Sequence, residues 1–246
     1  MTDWIALYVL LVLFIATLVR SALGFGEALI AVPLLALVMP VGIAAPLAVL
    51  VSITIAFFIL LQDWRLVYMR DAGWLVLSTL LGIPLGLLLL RSASESVVKT
   101  ILAVTIIAFS AYSLTGHQTR ELTDDRFAWF FGFHAGVLGG AYGMNGPPLA
   151  MYGALRRWSP ERFRATLQGY FLPASLAGMA GYSFDGLWTP EGNTFYRVDL
   201  LGVVFGTFVG RSRNRRKHPL RFLSYAVVAC TAIGSTLWQA AIGRGR

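Results

Sequence analysis

Arg20 and Glu27 have the most chemistry to offer. They flank Gly24-Phe25-Gly26 in an otherwise apolar stretch. An ionisable residue in such surroundings is costly to bury and is a functional candidate by default. Two readings stand side by side. In one, Arg20 reaches an interface and Glu27 pairs with it as part of the structure. In the other, Glu27 carries a proton and Arg20 contacts an anion. A permanently anionic Glu27 would oppose that anion, so the second reading needs it protonated for part of a cycle. Asn145 stands in a second break, Gly139-Gly140-Ala141-Tyr142-Gly143-Met144-Asn145-Gly146-Pro147-Pro148. Its amide either only caps the following helix or also donates to a substrate oxygen. His134, just upstream, is either hydrogen-bonded filler or a proton relay. Gln168 and Tyr170, further on, either make ordinary interhelical hydrogen bonds or line the same cavity.

The elements that position these side chains follow from glycine and proline. Gly exposes backbone groups, and Pro has no donor and disrupts a helix interior. The second break predicts a helix that stops near Gly139 and restarts at Pro147, which suits a first helical turn. A helix that begins inside an apolar medium aims free N–H groups and a positive dipole end at whatever lies ahead, which suits an anion. The expected substrate-binding set is therefore Gly24, Gly26 and Glu27 with Gly143, Asn145, Gly146 and Pro147. Arg20, His134, Gln168 and Tyr170 are the candidates for coupling or lining.

Composition sets the solvent. The chain is 57% hydrophobic and only 13% charged, too apolar for a soluble domain of 246 residues. Apolar segments run over Trp4–Val19, Ala28–Met39, Ile43–Leu61, Gly73–Leu90, Val97–Leu114, Phe127–Leu138, Pro147–Leu155, Ala165–Phe184, Val198–Gly210 and Leu220–Ile242. Several approach the ~20 residues that cross a bilayer, whereas the second and seventh are too short. The net charge of +8 clusters at segment ends, as cytoplasmic loops do, and is not read as a nucleic-acid footprint. The N-terminus lacks a basic region, so the first segment is expected to be retained. The single cysteine, Cys230, permits no intrachain disulfide. No metal-ligand spacing, phosphate loop or nucleophile elbow stands out, so no cofactor and no metal are expected.

The halves repeat. Leu80–Ser92 and Leu200–Ser212 share Leu, Leu, Gly, Gly, Arg and Ser at an offset of 120, and Gly24 falls on Gly143 at nearly the same offset. If each broken pair is a hairpin entering and leaving on one side, 14 Lys and Arg residues share one face and five the other, the cytoplasmic excess expected of membrane proteins. The expected fold is all-α: a polytopic membrane protein of two inverted repeats, 1–120 and 121–246, integrated into one transmembrane domain. Each repeat has a broken-helix hairpin followed by three spanning helices, with both termini outside. The alternative counts each broken pair as one ordinary span. Gly82/Gly86 and Gly202/Gly206 are GxxxG pairs for close packing, within a protomer or across a homodimer.

At the two breaks the sequence resembles the sulfite exporter TauE/SafE family of membrane transporters. Each half opens with a glycine-rich segment followed by proline, Gly24–Pro33 and Gly136–Pro148, and Gln62-Asp63-Trp64-Arg65 also looks like the family. The resemblance implies transport of small sulfur-containing or organic anions. Glu27 stands where the family usually has Gly, and Asn145 where Gly is common, so the site is altered. The expectation is a multi-pass secondary transporter of the cytoplasmic membrane. Its partners are a small anion and membrane lipids, with no nucleic acid, and the proton gradient is the expected drive. The alternative is an intramembrane enzyme acting on a lipid or its headgroup, with Glu27 and His134 as acid and base.

Overall fold

The structure, a computed structural model, describes residues 3–114, 122, 124, 126–188 and 190–213. The expected segment Leu220–Ile242 and the basic run beyond Arg213 lie outside the described residues. Among the described residues the chain is all-helical: α1 (Asp3–Leu23), α2 (Glu27–Leu35), α3 (Val41–Asp63), α4 (Met69–Ser92), α5 (Glu95–Leu114), α6 (Phe127–Tyr142), α7 (Gly146–Leu155), α8 (Pro160–Phe184) and α9 (Pro190–Arg213). Three of the described stretches are long and apolar enough to cross a membrane: Trp4–Leu23, Val41–Leu66 and Met69–Ser92, with mean hydropathy 2.3, 2.6 and 2.1. Their outward faces carry bare apolar side chains, Leu7, Leu11 and Ile15 on α1 and Leu77, Leu81, Leu85 and Leu88 on α4. A helix apolar on every side belongs in lipid or in a protein core.

Contacts along the helices give their directions. α8 runs against α3: Leu187, past the end of α8, lies by Gly42 at the start of α3. Ser175 meets Ser52 midway at 3.1 Å, and Val67, past α3, lies by Gly169. α9 runs with α3, through Thr54 to Tyr196 and Phe58 to Phe208. It also runs with α1, setting Gly206 against Thr17 and Gly210 against Ser21. α4 runs with α6, where Gly82 faces Gly136 and Gly86 faces Gly140, and with α8, where Leu87 faces Gly181. So α1, α3 and α9 point one way and α4, α6 and α8 the other.

Each broken pair folds back on itself. The Tyr8 hydroxyl near the start of α1 donates to Leu34 O near the end of α2, and Phe131 of α6 stacks on Tyr152 of α7. A chain that turns back cannot be one straight span, so the pairs are hairpins in shape. The bundle has two distinct ends. Tyr68 N–H donates to Thr166, Leu122 N–H donates to Leu155 O, and Asp71 pairs with Arg156 at 3.7 Å, which gathers those loops at one end. Arg91 pairs with Asp185 at 3.6 Å at the other.

Two sequence expectations need correction. α6 does not stop near Gly139 but continues to Tyr142. In a membrane helix a glycine gives up little, because no water competes for its backbone, and Gly136 and Gly140 here form the bare face on which α4 packs. The break falls at Gly143, whose φ of 64 closes α6: its N–H donates to Gly139 O and Met144 N–H donates to Leu138 O, a left-handed glycine stop. The restart is at Gly146, one residue before Pro147. The second correction concerns packing. Gly82 and Gly86 do meet a neighbouring helix within the protomer, but on α9 the pair against α1 is Gly206 and Gly210. Gly202 sits under the Asp199 carboxylate of its own helix instead.

Candidate functional site

The first tip is built by two left-handed glycines. Gly24 at φ 90 and Gly26 at φ 105 reverse the chain between α1 and α2. That reversal brings Glu27, in the first turn of α2, against Arg20, in the last turn of α1, although seven residues separate them. Arg20 is wholly buried and Glu27 is 3% exposed. The expectation that Arg20 reaches an interface therefore gives way to a buried ion pair, because the turn sets a carboxylate directly against the guanidinium. Arg20 Nη1 donates to Glu27 Oε1 and to Ser52 Oγ, the latter at 2.6 Å. Its Nη2 donates to Gln168 Oε1 at 2.8 Å. Its face lies 4.4 Å from the ring centre of Phe171, within cation–π range. Its Nε is left without a partner. Gln168 returns a second bond, donating from Nε2 to Gly24 O at 2.8 Å, so one side chain holds both the guanidinium and the backbone of the tip. Ser175 supports Ser52 from α8.

The second tip is neutral. Asn145 precedes α7, but its side chain makes no capping bond. Its amide Nδ2 donates to the Tyr170 hydroxyl at 3.2 Å, and its side chain covers Gly139. Tyr170 continues the chain to Thr79, at 2.7 Å, and Thr79 donates to Gly132 O. Tyr182 donates to Gly139 O at 3.0 Å. The cap expected of Asn145 is thus replaced by a bond across to α8. Pro147 and Pro148 have no N–H, so the first turn of α7 offers only Gly146 and Leu149 as donors. The α2 end keeps the N–H groups of Glu27 and Ala28, unpaired within their own helix.

The two tips abut. Phe25 of the first packs on Gly146 of the second, and both tips lie against the central turns of α3, through Ser52 and Val49. A narrow cleft of about 10 Å³, room for about one water, lies between them, and its walls include Gly26, Glu27, Gly143, Asn145, Gly146 and Pro147. The structure therefore brings together six of the seven residues expected to bind substrate. Gly24 lies one step back, against Gln168 and the Cγ of Arg164. Gln168 and Tyr170 do not line the cleft but hold its two tips. Phe171, the residue after Tyr170, does line it. His134 is elsewhere: it is exposed on α6, with Nδ1 bonded to Phe130 O one turn back. The structure does not bring it to Glu27.

Ser52, Ser175, Phe171 and Thr79 were not singled out from sequence. The two serines had a signal: they lie 123 residues apart, close to the repeat offset of 120. Phe171 and Thr79 had none, since a lone aromatic or hydroxyl in an apolar segment looks like ordinary filling.

Compared with known proteins, residues 9–235 match the family described as Sulfite exporter TauE/SafE. No curated protein and no solved structure matches the chain.

Proposed function

This chain belongs to the sulfite exporter TauE/SafE family, and from that premise we propose that it is a secondary transporter whose substrate site is the cleft between the two hairpin tips. Membership makes it a multi-pass membrane protein and a transporter of sulfite-type anions. The finer reading is ours: the anion binds at Gly26, Glu27, Gly143, Asn145, Gly146 and Pro147, transport crosses the cytoplasmic membrane, and protons drive it. The observation that carries the reading is the meeting of two helix-breaking tips around one narrow cleft, with the carboxylate of a buried guanidinium–carboxylate pair in its wall. Irregular backbone at membrane depth survives only where protein or a polar cavity covers it, and paired broken helices are a recurrent transporter site.

Alternating access is supported by the pattern of packing. If α1, α2, α3 and α4 are matched with α6, α7, α8 and α9, then α1 on α9 corresponds to α6 on α4, and α3 on α9 corresponds to α8 on α4. Every matched pair whose direction was assigned above points in opposite senses. That is the pattern expected of two inverted repeats, 1–120 and 121–246, each interleaved with the other. The gathering of Arg65, Arg70, Arg156 and Arg162 near one end supports a cytoplasmic assignment for that end. The outward leucines fit lipid contact. Gly82 and Gly86 are occupied inside the protomer, which leaves a homodimer without that seam. The enzyme alternative loses its acid–base pair, because His134 faces outward and Glu27 faces the cleft.

The test is counterflow in liposomes, with labelled sulfite outside and unlabelled sulfite, sulfate or methanesulfonate inside. Exchange without ATP and without any gradient of drive supports transport. Folded protein in liposomes that exchanges none of the three refutes it.

A further inference from the structure

We infer that Glu27 and the transported anion compete for one guanidinium, that of Arg20, so that each monovalent anion bound draws one proton onto Glu27. This deepens the transport reading above and rests on it.

The argument begins with charge. Arg20 is wholly buried, and a guanidinium does not lose its proton in a protein. A buried cation needs a counter-charge. Here that charge is Glu27, bonded to Nη1. Glu27 and Phe171 both form the wall of the cleft, and Arg20 lies behind them, bonded to one and stacked on the other. An anion entering the cleft therefore meets a carboxylate before it can approach the guanidinium. With Glu27 ionised, the loaded pocket holds two negative charges against one positive. Like charges about 4 Å apart in a partly buried site weaken binding on the order of a thousandfold. With Glu27 protonated, the anion becomes the counter-charge and the pocket is neutral again.

Two further observations bear on the exchange. The guanidinium is not fully used, since Nε has no partner. The two charges also belong to the first tip and not to the second. At the offset of 119 that places Gly24 on Gly143, Arg20 falls on Gly139 and Glu27 on Gly146. The second tip thus lacks both cation and carboxylate. The other elements around the pair present Ser52 from α3, Gln168 and Ser175 from α8, and Gly206 and Gly210 from α9 toward α1. Among the described residues, a further charged side chain against this tip is Arg164 of α8, whose Cγ lies by Gly24. It adds positive potential and does not compete with Glu27 for a proton. Only O–H bonds change: hydronium on the open side gives a proton to the Glu27 carboxylate, leaving water and the neutral acid, and the proton returns to water when the anion leaves.

The experiment measures protons taken up on anion binding by the full-length protein in detergent, in weak buffer with a pH indicator. The probes are methanesulfonate and sulfate, whose charges stay fixed across the range. Methanesulfonate is expected to draw about one proton per anion bound once Glu27 is ionised, and its affinity to fall about tenfold for each unit of rising pH. Glu27→Gln should take up none, bind with no pH slope, and bind more tightly than the parent at alkaline pH. Wild-type binding without proton uptake overturns the competition, and so does uptake that persists in Glu27→Gln. The wild-type stoichiometry decides the matter even if Glu27→Gln fails to fold. Counterflow without proton uptake would leave transport standing and remove only the competition. If neither probe binds and no counterflow occurs, the transport reading falls and this inference with it.

Discussion

Gly86→Ala isolates the contact between α4 and α6. A Cβ at Gly86 would stand 2.1 Å from Val137 O, 2.7 Å from Ala141 N and 2.9 Å from Gly140 Cα. All three are backbone atoms, so no rotamer change relieves them. Ordinary contact begins near 3.4 Å, so the helices must separate locally by about 1.3 Å or tilt. Overpacking of this kind costs typically about 1–3 kcal/mol, against roughly 0.5–1 kcal/mol that alanine gains over glycine in a helix. The expected net loss is about 1–2 kcal/mol. For a chain of this size that lowers the unfolding temperature by roughly 2–8 °C. The assay is thermal unfolding of purified protein in detergent, beside Gly73→Ala and Gly178→Ala, where a Cβ meets nothing within 4 Å. Those controls should hold or rise. If Gly86→Ala melts with its controls, α4 and α6 do not pack backbone to backbone, and the directions assigned through that seam lose their support.

Asn145→Ala removes the donor to Tyr170 and should weaken anion binding by roughly 1–2 kcal/mol in a thermal-shift titration with sulfite. Asn145→Asp should do worse, because it sets a negative charge in the cleft wall, and unchanged binding in both folded variants would reduce Asn145 to scaffold. Gln168→Leu leaves Arg20 Nη2 and Gly24 O buried without their bonds, each worth about 1–3 kcal/mol. It should therefore lower the melting temperature more than Gly86→Ala does, and equal stability with the parent would mean the first tip does not depend on α8. A cysteine within 66–69 should be labelled only from the cytoplasm and one within 91–94 only from outside. Labelling of both from one face would mean that α4 does not cross the membrane, and labelling of the two from the opposite faces to those expected would reverse the assigned orientation.

The helices were legible because the solvent dictates them. An apolar run surrounded by lipid or apolar protein must bond its own backbone, so nine of the ten apolar segments became α1 to α9, the two short ones included, with the tenth outside the described residues. The tips were legible as glycine clusters, and the pairing of Arg20 with Glu27 followed from their nearness across a tight turn. What sequence could not reveal was which glycines break a helix and which let another helix approach. Gly139 and Gly143 look alike in the chain, yet only Gly143 takes a left-handed φ. The capping role of Asn145 failed for a related reason: its competing partner, Tyr170, lies on α8, 25 residues away. Ser52 and Gln168 reach Arg20 from 32 and 148 residues away, distances at which neighbouring residues carry no local signal. Gln168 was a candidate for its polarity, but its double role needed the fold.

The seam between α1 and α9 also sets an order on how this protein is made. Thr17 emerges from the ribosome 189 residues before the Gly206 it will lie against. At ~5–20 residues per second, that interval is roughly 10–40 s. Glu27 arrives within seconds to neutralise Arg20, so the first hairpin enters the bilayer with its charge already matched. The hydroxyls of Thr17 and Ser21 and the Gln168 clamp have no such early help. Until the last described helix arrives, that flank of α1 faces lipid or an insertion factor. A ribosome stalled before α9 should hold the nascent chain on such a factor, detectable by crosslinking from position 17, and release of the complete chain should end that contact.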